Sequence, residues 1–211
     1  MTSDPGAASD TLSYLALGDS YSIGESVDSA FRWPVQLAKA LSDAGVPVRE
    51  PIIVARTGWT TDELAAGIDA AGPLGTFDLV SLLIGVNNQY RGRGLEEYRL
   101  QLLDLLSRAV AFAGGDPGRV LVLSTPDWGV SPFAEGRDRA RIASEIDAFN
   151  DVERREAESA GVRFVDIVDI SREAAGDGSL VAEDGLHPSA GMYARWVQAA
   201  LPTAMEMIRQ R

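Results

Sequence analysis

The 211-residue sequence contains no cysteine and a single histidine. The absence of cysteine excludes disulfides, thiolate metal sites and a cysteine nucleophile. No apolar run approaches the ~20 residues that a membrane-spanning helix requires, so we expect no membrane insertion. Residues 1–10 are acidic and small where a secretory signal would carry positive charge followed by an apolar stretch. We therefore expect a cytoplasmic protein, although a processed secreted form would look the same.

Positive charge is also scarce, since 19 Lys and Arg residues stand against 31 Asp and Glu residues, for a net charge of −12. Such a field repels polyanions, so neither nucleic acid nor an anionic membrane is an expected partner. The content of 45% hydrophobic and 24% charged residues is typical of a globular protein. The length favours one domain over residues 1–211 with a flexible N-terminus at 1–11, and either a monomer or a small homo-oligomer.

Apolar runs rich in β-formers alternate with helical patterns, which is typical of β-α units around a parallel sheet. Strands are predicted at residues 12–17, 48–55, 78–84, 119–123 and 163–167. The middle three are nearly continuous apolar runs, as expected for strands covered on both faces. Thr61 is predicted to cap a helix, and Pro202 to kink or interrupt the last one. The pattern predicts a three-layer α/β/α sandwich whose active site lies at the carboxyl ends of the strands.

Four segments near predicted strand ends carry candidate chemistry. They are Gly18-Asp19-Ser20-Tyr21-Ser22, Arg56-Thr57-Gly58-Trp59, Gly85-Val86-Asn87-Asn88 and Asp184-Gly185-Leu186-His187-Pro188. Taken singly, each segment is compatible with an ordinary helix cap or turn. A lone histidine is more often structural than catalytic. As the single histidine, however, His187 is the one imidazole available to activate a serine.

Together, the four segments resemble the SGNH, or GDSL-type, serine hydrolase family of esterases, whose name gives its Ser, Gly, Asn and His blocks in this chain order. The resemblance extends over residues 14–193 and lies in short blocks rather than in continuous similarity. It implies a flavodoxin-like sandwich with a five-stranded parallel sheet. It also implies an enzyme without cofactor or metal that cleaves a small-molecule carboxylic ester or thioester through an acyl-enzyme.

The resemblance assigns a role to each matched residue. Ser20 would be the nucleophile, His187 the base and Asp184 the carboxylate that orients it. The backbone N–H groups of Ser20 and Gly58 and the side-chain amide of Asn87 would form the oxyanion hole. The chemistry is consistent with these roles, because an imidazole with a reference pKa of about 6.5 can take the serine proton and a carboxylate can fix its tautomer.

Two positions depart from the family pattern. Tyr21 stands where the first block commonly has leucine, which leaves the nucleophile assignment intact. Asn88 stands where an aspartate commonly follows the oxyanion asparagine. The donor role of Asn87 is unaffected by this change, but the hydrogen bonds that orient its loop are in question.

Aromatic residues on predicted loops at the active edge are candidates to line an acyl or sugar pocket, or to pad the rim against the core. They are Trp59, Tyr90, Trp128 and Phe133. Polar neighbours favour short or polar acyl substrates.

Arg91 and Arg93 follow the oxyanion segment directly. Arg91 is a candidate to bind a polar or anionic substrate group, and the alternative is that both arginines pair with acidic residues such as Glu96 and Glu97. Two other function classes remain open beside hydrolysis. One is an acyltransferase to a sugar or alcohol with the same triad, and the other is a non-catalytic flavodoxin-like binding module.

Overall fold

The protein is described here by a computed structural model over residues 11–210. The strands are β1 (Tyr14–Asp19), β2 (Ile52–Arg56), β3 (Leu79–Leu83), β4 (Val120–Leu123) and β5 (Arg163–Val165). The helices are α1 (Ser20–Ile23), α2 (Trp33–Asp43), α3 (Thr61–Ala71), α4 (Val86–Tyr90), α5 (Leu95–Phe112), α6 (Arg139–Ser159), α7 (Val168–Arg172) and α8 (Ala190–Arg209). The expected flexible N-terminus, residues 1–11, lies outside the described residues apart from Thr11.

The five strands form one parallel sheet in the order β2-β1-β3-β4-β5. The chain passes from β1 to the edge strand β2 and then returns to the other side of β1 to form β3. This reversal of direction opens a crevice at the carboxyl ends of β1 and β3, which is where open α/β sheets bind ligands. The expected flavodoxin-like five-stranded sheet is confirmed.

Helices cover both faces of the sheet. Consecutive residues of β1 alternate between two cores, because side chains in a strand point to opposite faces. Tyr14 and Ala16 pack with residues of α2, α7 and α8, whereas Leu15 and Leu17 pack with residues of α3, α5 and the second half of α6. All residues of β1 are buried. The three-layer sandwich is therefore confirmed, and β1 is an interior strand that is covered on both faces.

The second strand differs from its prediction. It begins at Ile52 rather than at residue 48, and Val48 makes only an isolated parallel bridge with Leu12. Pro51 precedes the strand and cannot donate a ladder hydrogen bond, so regular pairing starts after it. As an edge strand β2 is also poorly covered, with Val54 buried and Ile52 48% exposed. The prediction that it is covered on both faces was wrong.

The start of α3 is shifted by one residue from the prediction. Its cap is Thr60 rather than Thr61, which is the first helical residue. The Thr60 N–H donates to the carboxylate of Glu63 at 2.9 Å, as in a capping box. Two adjacent threonines made the sequence ambiguous at this boundary.

The last helix, α8, continues through Pro202 without interruption. Pro202 lies on the exposed side of the helix, where water can satisfy the carbonyl group that loses its N–H partner. Ala200 and Ala204 on the opposite side are fully buried and hold both halves against the sheet. Within residues 11–210, no helix combines the length and the apolar character that crossing a membrane demands.

Candidate active site

Ser20 lies at the point where the buried interior strand β1 ends. The carboxylate of Asp19 accepts the Tyr21 N–H at 3.0 Å and so caps the short helix α1 that Ser20 begins. This cap turns the chain sharply and leaves the Ser20 side chain at the carboxyl edge of the sheet. Ser20 is only 4% exposed, so its hydroxyl meets solvent through a pocket rather than on an open surface.

The structure brings Ser20, His187 and Asp184 together across 167 residues of sequence. His187 Nε2 lies 2.9 Å from Ser20 Oγ, and His187 Nδ1 lies 2.6 Å from Asp184 Oδ2. The imidazole can therefore donate one proton to the carboxylate while its other nitrogen faces the serine hydroxyl. This tautomer is the one a general base for Ser20 requires.

Asp184 is held in its ionised form by its surroundings. Partial burial opposes ionisation, but four hydrogen bonds outweigh it and hold the pKa of this carboxyl well below its usual range. The donors are the Ser26 hydroxyl at 2.6 Å, the His187 ring, and the backbone N–H groups of Leu186 and His187 at 2.9 Å. Ser26 was not found by sequence reasoning, because it lies in no recognisable motif and 158 positions before its partner.

The histidine loop is fixed by backbone pairing. Val181 and Pro188 form an antiparallel bridge, and the Ala182 N–H donates to the His187 carbonyl at 2.7 Å. On its other side, the His187 ring lies 5.4 Å from the ring of Tyr21. Tyr21, which stands in place of the family's common leucine, therefore packs against the His187 ring and helps to keep it in place.

Gly58 and Asn87 lie beside Ser20, each at the end of a neighbouring strand. Gly58 has a φ of +84°, a conformation that favours glycine. The side-chain amide of Asn87 donates to the Trp59 carbonyl at 2.9 Å and contacts a carboxylate oxygen of Asp19 at 3.3 Å. Ser20, Gly58 and Asn87 line one pocket together with His187.

Asn88 is fully buried and points away from the pocket. Its side-chain oxygen accepts the Thr61 N–H at 3.1 Å, and its amide donates to the Thr61 hydroxyl at 2.7 Å. The Thr61 hydroxyl in turn donates to Gln101. A neutral amide provides both the acceptor and the donor that this position needs, so Asn88 ties α4 to the start of α3 without a buried charge.

Asp19 received no role from the sequence, yet it lies next to Ser20, the candidate nucleophile. It is completely buried, and burial raises the pKa of its carboxyl to about 7, although hydrogen bonds from the Tyr21 N–H and the Asn87 amide oppose this effect. Buried carboxyls with raised pKa values cluster at functional sites. Asp19 thus connects the nucleophile segment to the candidate oxyanion donor.

The pocket in front of Ser20 has a volume of about 160 Å³ and an aromatic wall. Tyr90, Trp128 and Phe133 form this wall, with 5.3 Å between the ring centroids of Tyr90 and Trp128 and 5.9 Å between those of Trp128 and Phe133. Trp59 is placed elsewhere, because its ring packs over Gly67 of α3, where a Cβ atom would lie 2.1 Å from it.

The two arginines that follow the Asn87-Asn88 segment, Arg91 and Arg93, are both engaged by other groups. Arg91 donates to the Gly58 carbonyl at 2.5 Å and pairs with Glu63 at 3.1 Å. Arg93 pairs with Asp62 and with Glu97, each at 3.0 Å. Arg91 therefore contacts the backbone of the Gly58 turn, and Arg93 links α3 to α5.

A larger cavity of about 560 Å³ lies on the other side of the aromatic wall. Tyr90 and Trp128 line both cavities, but neither Ser20 nor His187 reaches the larger one. Its size alone does not make it the reaction site, since the candidate nucleophile Ser20 and the candidate base His187 face the smaller pocket. Among residues 11–210, no cluster of three or more histidine and carboxylate side chains is arranged to hold a metal ion.

The sequence profile described as the GDSL-like lipase/acylhydrolase family matches residues 16–195. The chain belongs to this family. The matched range contains all four segments identified from the sequence and the three hydrogen-bonded side chains of the site. None of the curated proteins matches this chain significantly.

Several solved structures share the fold. TesA is 22% identical, with 92% of this chain and 99% of TesA covered, at a TM-score of 0.69. The acetylxylan esterase Axe2 from Geobacillus stearothermophilus is 20% identical, with 95% and 97% covered, at a TM-score of 0.72. The lipase/acylhydrolase from Enterococcus faecalis is 18% identical, with 94% and 96% covered, at a TM-score of 0.71.

Proposed function

We propose that this family member is an esterase that hydrolyses small-molecule carboxylic esters with short or polar acyl groups through an acyl-enzyme on Ser20. The observation that carries the proposal is the hydrogen-bonded series from Ser20 through His187 to Asp184, which faces a pocket. A serine hydroxyl is a weak nucleophile until a neighbouring base takes its proton. The 2.9 Å separation of Ser20 Oγ and His187 Nε2 is within range for that transfer.

The acylation half of the reaction follows from these contacts. Ser20 Oγ attacks the ester carbonyl carbon while its proton passes to His187 Nε2, and negative charge develops on the carbonyl oxygen. The Asp184 carboxylate stabilises the imidazolium. His187 then returns the proton to the leaving alkoxide oxygen as the carbon–oxygen bond of the ester breaks, which leaves the acyl group on Ser20.

Deacylation repeats these steps with water as the nucleophile. His187 takes one proton from a water molecule as the water oxygen adds to the acyl carbon. The bond between Ser20 Oγ and that carbon then breaks, the serine regains its proton from His187, and the carboxylic acid leaves. A sugar or alcohol hydroxyl in place of water would give acyl transfer by the same steps.

The oxyanion hole would be formed by the N–H groups of Ser20 and Gly58 and the amide of Asn87. Of the two hydrogen bonds that the Asn87 amide donates, the 3.3 Å bond to Asp19 is the longer, so we assign this N–H to the developing oxyanion. The shorter bond to the Trp59 carbonyl keeps the amide in place. Preorganised donors of this kind are typically the largest single contribution to catalysis of acyl transfer.

Pocket size supports a short acyl group. The volume of about 160 Å³ is below the range of roughly 300–1,000 Å³ that holds drug-sized ligands. The aromatic wall of Tyr90, Trp128 and Phe133 suits either a small alkyl group or the apolar face of a sugar. The structural relative Axe2 is an acetylxylan esterase, which places acetylated sugars among the substrates to test.

A substrate panel tests this function. Phenyl esters of acetate, butyrate and octanoate, an acetyl thioester and an acetylated xylo-oligosaccharide are offered, and both free acid and acylated alcohol acceptor are quantified. We expect acid release, fastest with the short acyl groups and abolished in Ser20→Ala at an unchanged melting temperature. Undiminished turnover by folded Ser20→Ala would contradict the proposal. An excess of acylated acceptor would identify a transferase, and no turnover of any ester by folded wild type would favour a binding module.

A further inference from the structure

Arg137 occupies an unusual position beside the pocket. Its guanidinium carbon lies 5.3 Å from the ring centroids of all three wall residues, Tyr90, Trp128 and Phe133. One guanidinium nitrogen donates to the Tyr90 hydroxyl at 3.3 Å. Three aromatic faces hold the cation electrostatically without neutralising it. The wall of the candidate active site therefore carries an oriented positive charge.

This charge differs from that of Arg91 and Arg93. Both of those arginines form ion pairs, whereas Arg137 has no carboxylate within ion-pair distance among residues 11–210. Arg137 is also exposed. Its planar fork of donors remains available, and a fork of this kind matches a carboxylate or phosphate in two-point contact.

Arg137 lies on the side of the wall that faces the larger cavity of about 560 Å³. Two acidic residues, Asp138 and Glu145, also line this cavity, but both are engaged by other groups. Asp138 accepts the Arg141 N–H at 3.0 Å, and Glu145 pairs with the Arg141 guanidinium at 2.7 Å and accepts from Gln89 at 2.7 Å. Of the arginines among the described residues that line this cavity, Arg93 and Arg141 form ion pairs and Arg137 does not, so Arg137 is the unpaired cation next to two cavities that share Tyr90 and Trp128.

We infer that Arg137 recognises an anionic group of the substrate, a carboxylate or phosphate on the part of the ester that extends past the aromatic wall into the larger cavity. This inference rests on the proposed ester hydrolysis at Ser20. The net charge of −12 repels an anionic substrate over the whole molecule, so its binding needs a local positive charge near the site. The anion lies on either the acyl or the alcohol side of the ester, and the test separates the two.

Two matched ester pairs provide the test. The alcohol-side pair is 4-acetoxybenzoate and its neutral methyl ester, and the acyl-side pair is the phenyl monoester of adipate and phenyl hexanoate. The ratio of kcat/KM for the anionic member to that for the neutral member is measured in wild type and in Arg137→Gln. Loss of a hydrogen-bonded charge pair between enzyme and substrate corresponds to a change of about tenfold or more in kcat/KM.

We expect Arg137→Gln to lower the anionic-to-neutral ratio by about tenfold or more in at least one pair, mainly through KM, and the affected pair identifies the side that carries the anion. Arg137→Lys should retain part of the ratio because it keeps the charge without the fork. The matched control is Arg155→Gln, which removes the same charge from an exposed position on α6 and should leave both ratios unchanged. A role limited to supporting the rings would lower turnover of both members equally.

Unchanged ratios in both pairs for Arg137→Gln, with the neutral esters still hydrolysed, would overturn the inference while leaving the proposed function intact. Failure of wild type to hydrolyse any of the four esters would instead count against the proposed function. In that case, the tryptophan fluorescence of Ser20→Ala during titration with adipate tests whether Arg137 binds an anion. A saturable fluorescence change in Ser20→Ala that is absent from the double variant Ser20→Ala/Arg137→Gln supports the anion site. The same titration curve for the two proteins overturns it.

Discussion

At the scale of single residues, two adjacent asparagines of α4 have different surroundings. Asn87 faces the pocket with Ser20 and Gly58, whereas Asn88 is buried against Thr61. We predict that Asn87→Ala lowers kcat by about 10²- to 10³-fold with little change in KM, because one oxyanion donor is lost. Asn88→Ala should lower kcat less and instead reduce the free energy of unfolding by about 1–3 kcal/mol, because the Thr61 N–H loses its acceptor.

Steady-state kinetics and denaturant unfolding of both variants measure these effects. Asn88→Asp serves as the control, since it keeps the acceptor for Thr61 and should retain more activity than Asn88→Ala. A larger loss of kcat in Asn88→Ala than in Asn87→Ala would show that the roles of the two asparagines are reversed.

The hydrogen bond from Ser26 to Asp184 predicts a smaller effect on the same site. Ser26→Ala should lower kcat by about three- to tenfold, since one of the bonds that hold Asp184 ionised and oriented is removed. Asp184→Ala should cost much more, because His187 then loses its orienting partner. Ser179 donates an equivalent 2.6 Å bond to Asp177 and is the matched control. If Ser26→Ala and Ser179→Ala have the same kcat, the Ser26 bond has no part in catalysis.

The candidate site residues themselves were easier to predict from the sequence than the residues that they contact. Ser20, His187 and Asp184 could be proposed because short motifs recur in a fixed order and parallel strands end at one edge of the sheet. Ser26 and Asp19 could not, since a hydrogen bond across 158 positions or the burial of one carboxyl depends on tertiary packing. Arg137 was missed for the same reason, because its contact with Tyr90 at the end of α4 joins residues that lie 47 positions apart.

At the scale of elements, α4 and the loop that ends it hold the turn that follows β2. Asn87 donates to the Trp59 carbonyl, and Arg91 donates to the preceding carbonyl, that of Gly58. These two bonds hold the peptide groups that join Gly58 to Trp59 and Trp59 to Thr60, which directly follow the Gly58 N–H. The segment that carries one candidate oxyanion donor is therefore bonded to the turn that carries the other, the N–H of Gly58.

This contact predicts that Arg91→Gln lowers kcat by about tenfold for neutral and anionic esters alike, because the Gly58 turn loses its clamp. Arg93→Gln is the matched control, since Arg93 pairs only with the carboxylates of Asp62 and Glu97. Kinetics with the two ester pairs described for Arg137 measure the effect. A selective rise in KM for anionic esters would show instead that Arg91 binds the substrate, as its place in the sequence suggests.

Element boundaries were less predictable than the elements themselves. The order of strands and helices follows from apolar periodicity, which averages over many residues. The start of β2 depends on Pro51 and on the single neighbour of an edge strand. The continuity of α8 depends on which side of the helix Pro202 occupies. Such local features are decided by packing that a single sequence does not display.

At the scale of the whole molecule, buried carboxyls link stability to pH. Glu153 is buried between α5 and α6, where it accepts from the Tyr98 hydroxyl at 2.6 Å. Burial raises its pKa from 4.5 to about 8, and burial raises that of Asp19 from 3.8 to about 7. The folded protein retains these protons at pH values where the unfolded chain has lost them. The free energy of unfolding should therefore fall as pH rises from about 5 to 8.

Glu153→Gln removes one of these titratable groups. The decrease in the free energy of unfolding with pH should then be shallower, by at most about 1.4 kcal/mol per pH unit. Urea unfolding at pH 5 and pH 8 measures the difference, and the readout is the change between the two pH values rather than the absolute stability. Glu158→Gln, at an exposed position of α6, should keep the wild-type fall. Equal falls in Glu153→Gln and wild type would show that Glu153 is ionised throughout.

The proposed mechanism depends on Ser20 as the residue that carries the acyl group. Covalent labelling with a short-chain aryl phosphonate shows which residue this is, because the reagent phosphonylates an activated serine and the adduct can be located by peptide mass spectrometry. We predict one adduct on Ser20, none in Ser20→Ala, and a labelling rate lowered by several orders of magnitude in His187→Ala. An adduct on another residue, or labelling of Ser20 that is equally fast without His187, would contradict the account.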